Sequence, residues 1–182
     1  EGNVLEFGLF AWNVKHSINE NLPKNSSIVF HAYGGNPDWE NIHIYFNDQF
    51  KVQFTGAQKN NPKVYTAKLM KGNEVYATAN TFGNLTTGGG TYIRIDNQDG
   101  LVSIYVSANG NFENAAPIIQ QQIHGCADNG RLYIHKEGNT IFRVDNIKVY
   151  DFGGYTEENI TTFSGEYGTV TVADDKVSVN EV

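Results

Sequence analysis

Thr91 to Ser107, with the sequence TYIRIDNQDGLVSIYVS, holds the strongest structural pattern in this 182-residue chain. Its two arms alternate between apolar and polar residues, and the Asn97-Gln98-Asp99-Gly100 cluster between them is typical of a turn. The pattern predicts a β-hairpin, with successive side chains on opposite faces. The apolar face would hold Ile93, Ile95, Val102, Ile104 and Val106, and the polar face Tyr92, Arg94, Ser103 and Tyr105.

The rest of the chain supplies further strands and no amphipathic helix. Short apolar runs follow one another at roughly ten-residue spacing, beginning with a predicted first strand over Val4 to Lys15. An antiparallel sheet that is apolar on one side needs a second layer to cover it. The sequence therefore predicts an all-β fold, a two-sheet antiparallel β-sandwich of the jelly-roll type.

Two features of the C-terminal part refine this prediction. The apolar phase slips between Val144 and Ile147, which predicts a β-bulge near Asp145-Asn146. Gly153-Gly154 marks a boundary, so residues 1–152 would form the sandwich and 153–182 a C-terminal extension. That extension is either an extra strand pair, with a hairpin about Asp174-Asp175, or a linker toward another domain.

Composition excludes several classes of partner. The net charge of −7 and the pI of about 5.1 argue against nucleic acid and anionic membranes, which require a positive patch. No apolar run approaches about 20 residues, so membrane insertion is not expected. The single cysteine, Cys126, excludes an internal disulfide framework and is expected to be a buried free thiol.

The chain begins with Glu1 and shows no signal peptide, as expected of a mature form or a piece excised from a larger multidomain protein. Abundant Asn, Gly, Thr and Tyr with sparse Lys, Arg and Glu are typical of secreted or cell-surface β-proteins, so we expect an extracytoplasmic location. The three sequons at Asn25, Asn84 and Asn159 are no more than chance supplies.

The hairpin arms and the closing segment Arg143-Val144-Asp145-Asn146-Ile147-Lys148-Val149-Tyr150-Asp151 carry a family resemblance. They resemble the concanavalin A-like jelly rolls of glycan-binding modules, and more weakly the farnesoic acid O-methyltransferase-like domain. The galectin pattern His-Asn-Pro-Arg is absent, as is the catalytic Glu-x-Asp-x-x-Glu strand of laminarinase-like hydrolases. The resemblance therefore implies a fold and leaves the ligand open. It also implies one structural calcium near the closing strand, with Asp145 as a ligand, although an Asp at a bulge needs no metal.

The first candidate ligand site is the segment His31 to Glu40. Sugars present C–H faces that stack on aromatic rings and hydroxyls that bond to Asp, Asn and His. Trp39 and Tyr33 would be the platforms, and Asn36, Asp38 and His31 would fix the hydroxyls. In the structural alternative, Trp39 plugs the end of the sandwich and Asp38 only builds the turn.

The second candidate is the polar side of the hairpin, Tyr92, Arg94 and Tyr105, together with His43 and Tyr45 on a neighbouring strand. Its alternative is an ordinary solvated face. Zinc is not expected, because the five histidines show no His-x-His or HExxH spacing.

These patterns favour a non-catalytic module that binds a glycan or polysaccharide, or recognises a cell surface. Catalysis has the weakest support, because no two carboxylates fall in a recognisable spacing. Two alternatives stay open: a jelly-roll glycoside hydrolase or polysaccharide lyase, and a structural or adhesive protein–protein interaction domain.

Overall fold

The computed structural model describes residues 5–7, 13–19, 21–34, 41–56, 65–82, 90–126, 128–138 and 142–152, and three strands between 160 and 181. Fifteen strands and no helix lie in these ranges. The strands are β1 (Leu5–Phe7), β2 (Val14–Asn19), β3 (Ser26–Gly34), β4 (Asn41–Tyr45), β5 (Phe50–Gly56), β6 (Tyr65–Lys71), β7 (Glu74–Phe82), β8 (Thr91–Gln98), β9 (Leu101–Ser107), β10 (Ile119–Gln122), β11 (Leu132–Glu137), β12 (Phe142–Asp151), β13 (Ile160–Gly165), β14 (Gly168–Ala173) and β15 (Lys176–Glu181).

The predicted hairpin is confirmed as β8 and β9, joined by a two-residue turn. Asp99 and Gly100 both have positive φ, 48° and 86°, as a tight hairpin turn requires. A Cβ at Gly100 would lie 2.4 Å from the carbonyl oxygen of Ile123, so only glycine fits there. Ile93 and Ile95 face the core and Tyr92 and Arg94 face outward, as the alternation predicts.

The two-sheet antiparallel sandwich is also confirmed. Sheet A has the strand order β1-β12-β3-β8-β9-β10, and sheet B has the order β2-β11-β4-β5-β6-β7. Their inward-facing side chains form one apolar core, because alternate positions on both sheets carry large hydrophobic residues. Its fully buried large side chains include Phe7, Phe30, Phe46, Phe54, Phe142, Ile28, Ile42, Ile44 and Leu69.

The predicted bulge lies where the apolar phase slips. Asp145 pairs with His31 and Lys148 with Val29. Two residues of β12 between these pairs therefore lie opposite a single residue of β3. Asn146 takes a positive φ of 52° to accommodate the extra residue.

The prediction of a single first strand over Val4 to Lys15 is wrong. β1 pairs with β12 in sheet A, whereas β2 pairs with β11 in sheet B. The segment between them therefore passes from one sheet to the other. Phe10 to Trp12, where the alternation blurs, lie outside the described residues.

The chain forms two compact units, Glu1–Asp151 and Phe152–Val182. The second unit holds a three-stranded antiparallel sheet of β13, β14 and β15. Its β14–β15 hairpin is the one predicted about Asp174-Asp175, and β13 is an additional strand. Within the described residues, no helix has the length and apolarity needed to cross a bilayer.

Candidate functional site

Four neighbouring strands of sheet A bring most of the predicted site residues onto one surface. Register places Asp145 of β12 opposite His31 of β3, and His31 opposite Tyr92 of β8. Arg94 of β8 lies opposite Tyr105 of β9, and Tyr33 lies two residues beyond His31 on the same side. We call this surface the His31 face; it comprises His31, Tyr33, Tyr92, Arg94, Tyr105 and Asp145.

A row of stacked rings runs across the His31 face. The His31 ring lies 4.9 Å from that of Tyr33 and 4.4 Å from that of Tyr92, at interplanar angles of 20° and 24°. Gly110 lies against the Tyr92 ring, since a Cβ there would be 3.2 to 3.4 Å from three of its atoms. Among the described residues, Tyr33 thus ends the row on one side, and Gly110 closes it on the other.

The polar groups of this face contact one another in pairs. The imidazole Nδ1 of His31 lies 3.0 Å from Oδ1 of Asp145. Arg94 donates to both carboxylate oxygens of Asp96, at 2.8 and 2.5 Å, and Ser27 donates to Asp96 at 2.6 Å. The hydrogen bond to Asp96 raises the pKa of Arg94, which therefore stays charged. The Arg94 guanidinium carbon lies 5.0 Å from the centroid of the Tyr105 ring.

The two predicted candidate sites therefore share one surface at His31, Tyr33, Tyr92, Arg94 and Tyr105. Asn36, Asp38 and Trp39 lie outside the described residues and follow directly in sequence from the end of β3. His43 and Tyr45 are not on a neighbouring strand, because β4 belongs to sheet B. Parity alone could not assign a strand to one sheet or the other.

The outer side of sheet B forms a second polar surface, the His43 face: His43, Tyr45, Tyr133, His135 and Glu137. The Tyr45 and Tyr133 rings stack at 4.6 Å, and the His43 and His135 rings at 5.0 Å. Lys15 places its Nζ 3.4 Å from the centroid of the Tyr133 ring, and Lys51 lies 5.4 Å from that of Tyr45. Burial raises the pKa of Tyr133 to about 12, with its hydrogen bond to Asp48 adding to the shift.

The His43 face also holds a cluster that was not predicted from the sequence. One ligand-type atom from each of His43, His135 and Glu137 lies within 4.8 Å of the others, and within the described ranges this is the only such group of three. Burial lowers the pKa of His43 to about 4, against the opposing effect of Glu137. Burial also lowers the pKa of His135. Both imidazoles are therefore neutral at pH 7 and keep a lone pair.

Calcium binding at Asp145 stays a prediction, and the described contacts of this carboxylate are with His31 and Asn146. Calcium takes six to eight oxygen ligands. Asp145 offers one carboxylate, whose Oδ1 also accepts a hydrogen bond from Asn146 at 3.1 Å.

Cys126 is a buried free thiol, as predicted. Burial raises its pKa to about 11, so it is neither a thiolate nor a nucleophile at neutral pH.

A separate polar cleft of about 340 Å³ is lined by Asp48, Lys71, His124 and Asp128, among others, and was not predicted from the sequence.

Comparison with known proteins identifies the fold. No protein-family model matches the sequence, and no curated protein matches it. Among solved structures, the exoplasmic/lumenal domain of VIP36, described as bound to Ca²⁺ and Man3GlcNAc, matches with a TM-score of 0.59 and 10% identity, over 100% of this chain and 92% of that one. A functionally unknown Saccharomyces cerevisiae protein matches at 0.54 and 12% identity, over 78% of this chain and 74% of its own.

The CBM2 module of the evolved Dit protein of Lactobacillus casei BL23 phage J-1 matches with a TM-score of 0.50 and 10% identity, over 78% of this chain and 70% of the module's chain. At such identities these likenesses concern the fold alone. The sandwich is a concanavalin A-like jelly roll, as the hairpin and the closing strand predicted.

Proposed function

We propose that this chain is a non-catalytic carbohydrate-binding module whose ligand lies on the His31 face. One observation carries the proposal: the stacked rings of Tyr33, His31 and Tyr92 lie beside the Asp145 carboxylate and the Arg94–Asp96 pair on one sheet surface. A sugar needs an aromatic platform and fixed hydrogen-bonding groups together. An extracytoplasmic location would suit such a ligand and is part of the proposal.

Tyr33 is the best platform in the row. Tyr92 is covered by His31 on one side and by Gly110 on the other, whereas Tyr33 ends the row. The segment with Asn36, Asp38 and Trp39 follows Tyr33 in the sequence. On the His43 face, by contrast, the two tyrosine rings stack on each other and carry lysines over them.

The test is a glycan-array screen of the whole chain, repeated on Tyr33→Ala and Trp39→Ala. Tyr45→Ala is the matched control, because it removes a tyrosine from the opposite sheet. We expect a specific signal that both test variants lose and the control keeps. Loss in Tyr45→Ala alone would move the site to sheet B, and no binding by the parent protein would overturn the proposal.

Calcium at Asp145 is tested in the same screen, run with calcium chloride and with a chelator. We expect Asp145→Asn to match the parent protein without calcium if Asp145 is a ligand. Equal signals in both buffers would overturn calcium as a requirement and leave the glycan proposal standing.

A polysaccharide lyase is a second candidate, because His31, Tyr92 and Arg94 share the face. A lyase needs a base that removes the proton on the carbon next to the carboxylate of the uronate, and a cation that binds that carboxylate. Arg94 is already neutralised by Asp96, so binding ranks first. Release of unsaturated product from uronate polysaccharides, followed by ultraviolet absorbance and lost in His31→Gln, would favour the lyase.

A further inference from the structure

We propose that His43, His135 and Glu137 form a binding site for one divalent transition-metal ion, with Zn²⁺ as the best-fitting ion. The site lies on sheet B and is independent of the proposed glycan surface on sheet A. Two imidazoles and one carboxylate, with a fourth position left for water, are a ligand set that Zn²⁺ accepts.

Strand register builds the cluster. His43 of β4 and His135 of β11 are direct cross-strand partners. Glu137 follows His135 by two residues and therefore points to the same side of the sheet. Ligand atoms around a tetrahedral zinc are about 3.3 Å apart. Nε2 of His43 and Oε2 of Glu137 already lie at 3.2 Å, and no pair in the cluster exceeds 4.8 Å.

A second observation points to a ligand. The His43 side chain is only 5% exposed, and neither of its ring nitrogens makes a hydrogen bond within the described part of the chain. Glu137 lies 3.2 Å from Nε2 of His43 and raises its pKa as a hydrogen-bond partner would, but the contact does not have the alignment of a hydrogen bond. Buried polar atoms are nearly always satisfied, and leaving one unsatisfied destabilises the fold. A metal ion on this ring would satisfy it.

The hydrogen bond of His135 to Asn13 leaves one ring nitrogen of His135 with a lone pair. Its Nε2 lies 2.6 Å from Oδ1 of Asn13, an oxygen that can only accept. Nε2 therefore carries the proton, and Nδ1 keeps the lone pair. Metal-binding histidines are commonly oriented in this way by a hydrogen bond from the other ring nitrogen.

The chemistry of the donors selects the kind of ion. Calcium and magnesium prefer oxygen ligands, whereas imidazole suits zinc and its neighbours in the first transition row. Lys51 opposes any cation, since its charge acts on both His43 and His135. Glu137 brings the compensating negative charge to the site.

The test is calorimetric titration of the chelator-treated 182-residue protein with zinc chloride. We expect one Zn²⁺ per chain and a rise in melting temperature on addition, and any binding of calcium chloride should be unaffected by His135→Gln. His135→Gln and Glu137→Gln should each weaken binding at least about tenfold. His124→Gln, an exposed histidine outside the cluster, is the matched control and should leave binding unchanged.

His43→Gln should also abolish binding, but its buried position can affect folding. The partly exposed His135 and Glu137 variants therefore decide the question, provided that their urea midpoints without metal match that of the parent protein. Co²⁺ gives a second measurement, because a tetrahedral site with nitrogen ligands produces visible absorption that His135→Gln should remove. A dissociation constant weaker than about 100 µM, or equal binding by both variants and the parent protein, would overturn the proposal.

Discussion

The His31 face and the His43 face are built alike and differ in how their charges are matched. Each places a histidine on the third strand of a six-stranded sheet, stacked against other rings. On the His31 face, the histidine contacts the Asp145 carboxylate at 3.0 Å, and Arg94 is held by Asp96. On the His43 face, the ring nitrogens of His43 have no well-aligned hydrogen bond among the described residues, and the positive charge of Lys51 lowers the pKa of His43.

The difference comes from the neighbouring strand in each sheet. β12 has a bulge next to Asp145, which lies opposite His31, while β11 pairs with β4 without a break and places a second histidine opposite His43. In sheet A, His31 contacts a carboxylate. In sheet B, the ring nitrogens of His43 are left without a well-aligned hydrogen bond among the described residues. The first arrangement suits a neutral ligand with hydroxyls, and the second suits a cation.

The largest expected effect concerns protonation of His43. The unfolded chain binds this proton below about pH 6.5, whereas the folded chain binds it only near pH 4. Between these values the unfolded state holds more protons, so the free energy of unfolding should fall as the pH decreases. The contribution of His43 is at most about 3 kcal/mol.

Urea unfolding from pH 7.5 to 3.5 measures this loss. Carboxylates titrate over part of the same range, so the relevant quantity is the difference between the parent protein and His43→Gln. Coincident profiles for the two proteins would show that His43 is not buried as a neutral ring. His124→Gln should follow the parent profile.

The next largest effect should be on the His31 face. Asp96→Ala removes the acceptor for both Arg94 and Ser27, and the Asp96 side chain is only 10% exposed. We expect a loss of about 2 kcal/mol in the free energy of unfolding, measured by urea. Glu6→Ala breaks the exposed pair with Arg143 and should cost less than about 1 kcal/mol. Equal losses would mean that the Arg94–Asp96 pair is as solvated as a surface pair.

A smaller effect is expected for His31→Leu. The substitution keeps an apolar group between Tyr33 and Tyr92 but removes the contact with Asp145. We expect a loss of about 1 kcal/mol in the free energy of unfolding. His124→Leu is the exposed control. A stability equal to that of the parent protein would show that the stacked row is held together without the imidazole.

The smallest effect should come from Lys51→Gln on the His43 face. Removing this cation should strengthen Zn²⁺ binding about threefold, the magnitude expected between partly solvated charges. Lys24→Gln, a control remote from the cluster in the described contacts, should leave the affinity unchanged. Weaker binding in Lys51→Gln would mean that the lysine supports the cluster and does not repel the ion.

Much of the fold follows from local patterns. Alternation in Thr91–Ser107 predicted the faces of β8 and β9, and the phase slip after Val144 predicted the bulge. Both depend on the two-residue period of a strand, which neighbouring residues record directly. The crossing between β1 and β2 was missed because alternation carries no information about which sheet a strand joins.

The sites divide in the same way. The outward positions of His31, Tyr33, Tyr92 and Arg94 could be predicted. That these side chains share one face follows only from the strand order of sheet A. The His43 cluster was not predicted because its two histidines are far apart in sequence, whereas the His-x-His and HExxH patterns of zinc sites have short spacings. An outward His-x-Glu on one strand, at His135 and Glu137, was the available signal.

The crossing at the N-terminus has a mechanical consequence. β1 is the edge strand of sheet A and β2 the edge strand of sheet B, so one short segment borders both layers. A force pulling on the N-terminus would load the β1–β12 hydrogen bonds first and the β2–β11 hydrogen bonds next. Proteolytic removal of residues 1–19 would expose the unpaired backbone edges of β12 and β11 together. Another chain could then add a strand to either edge.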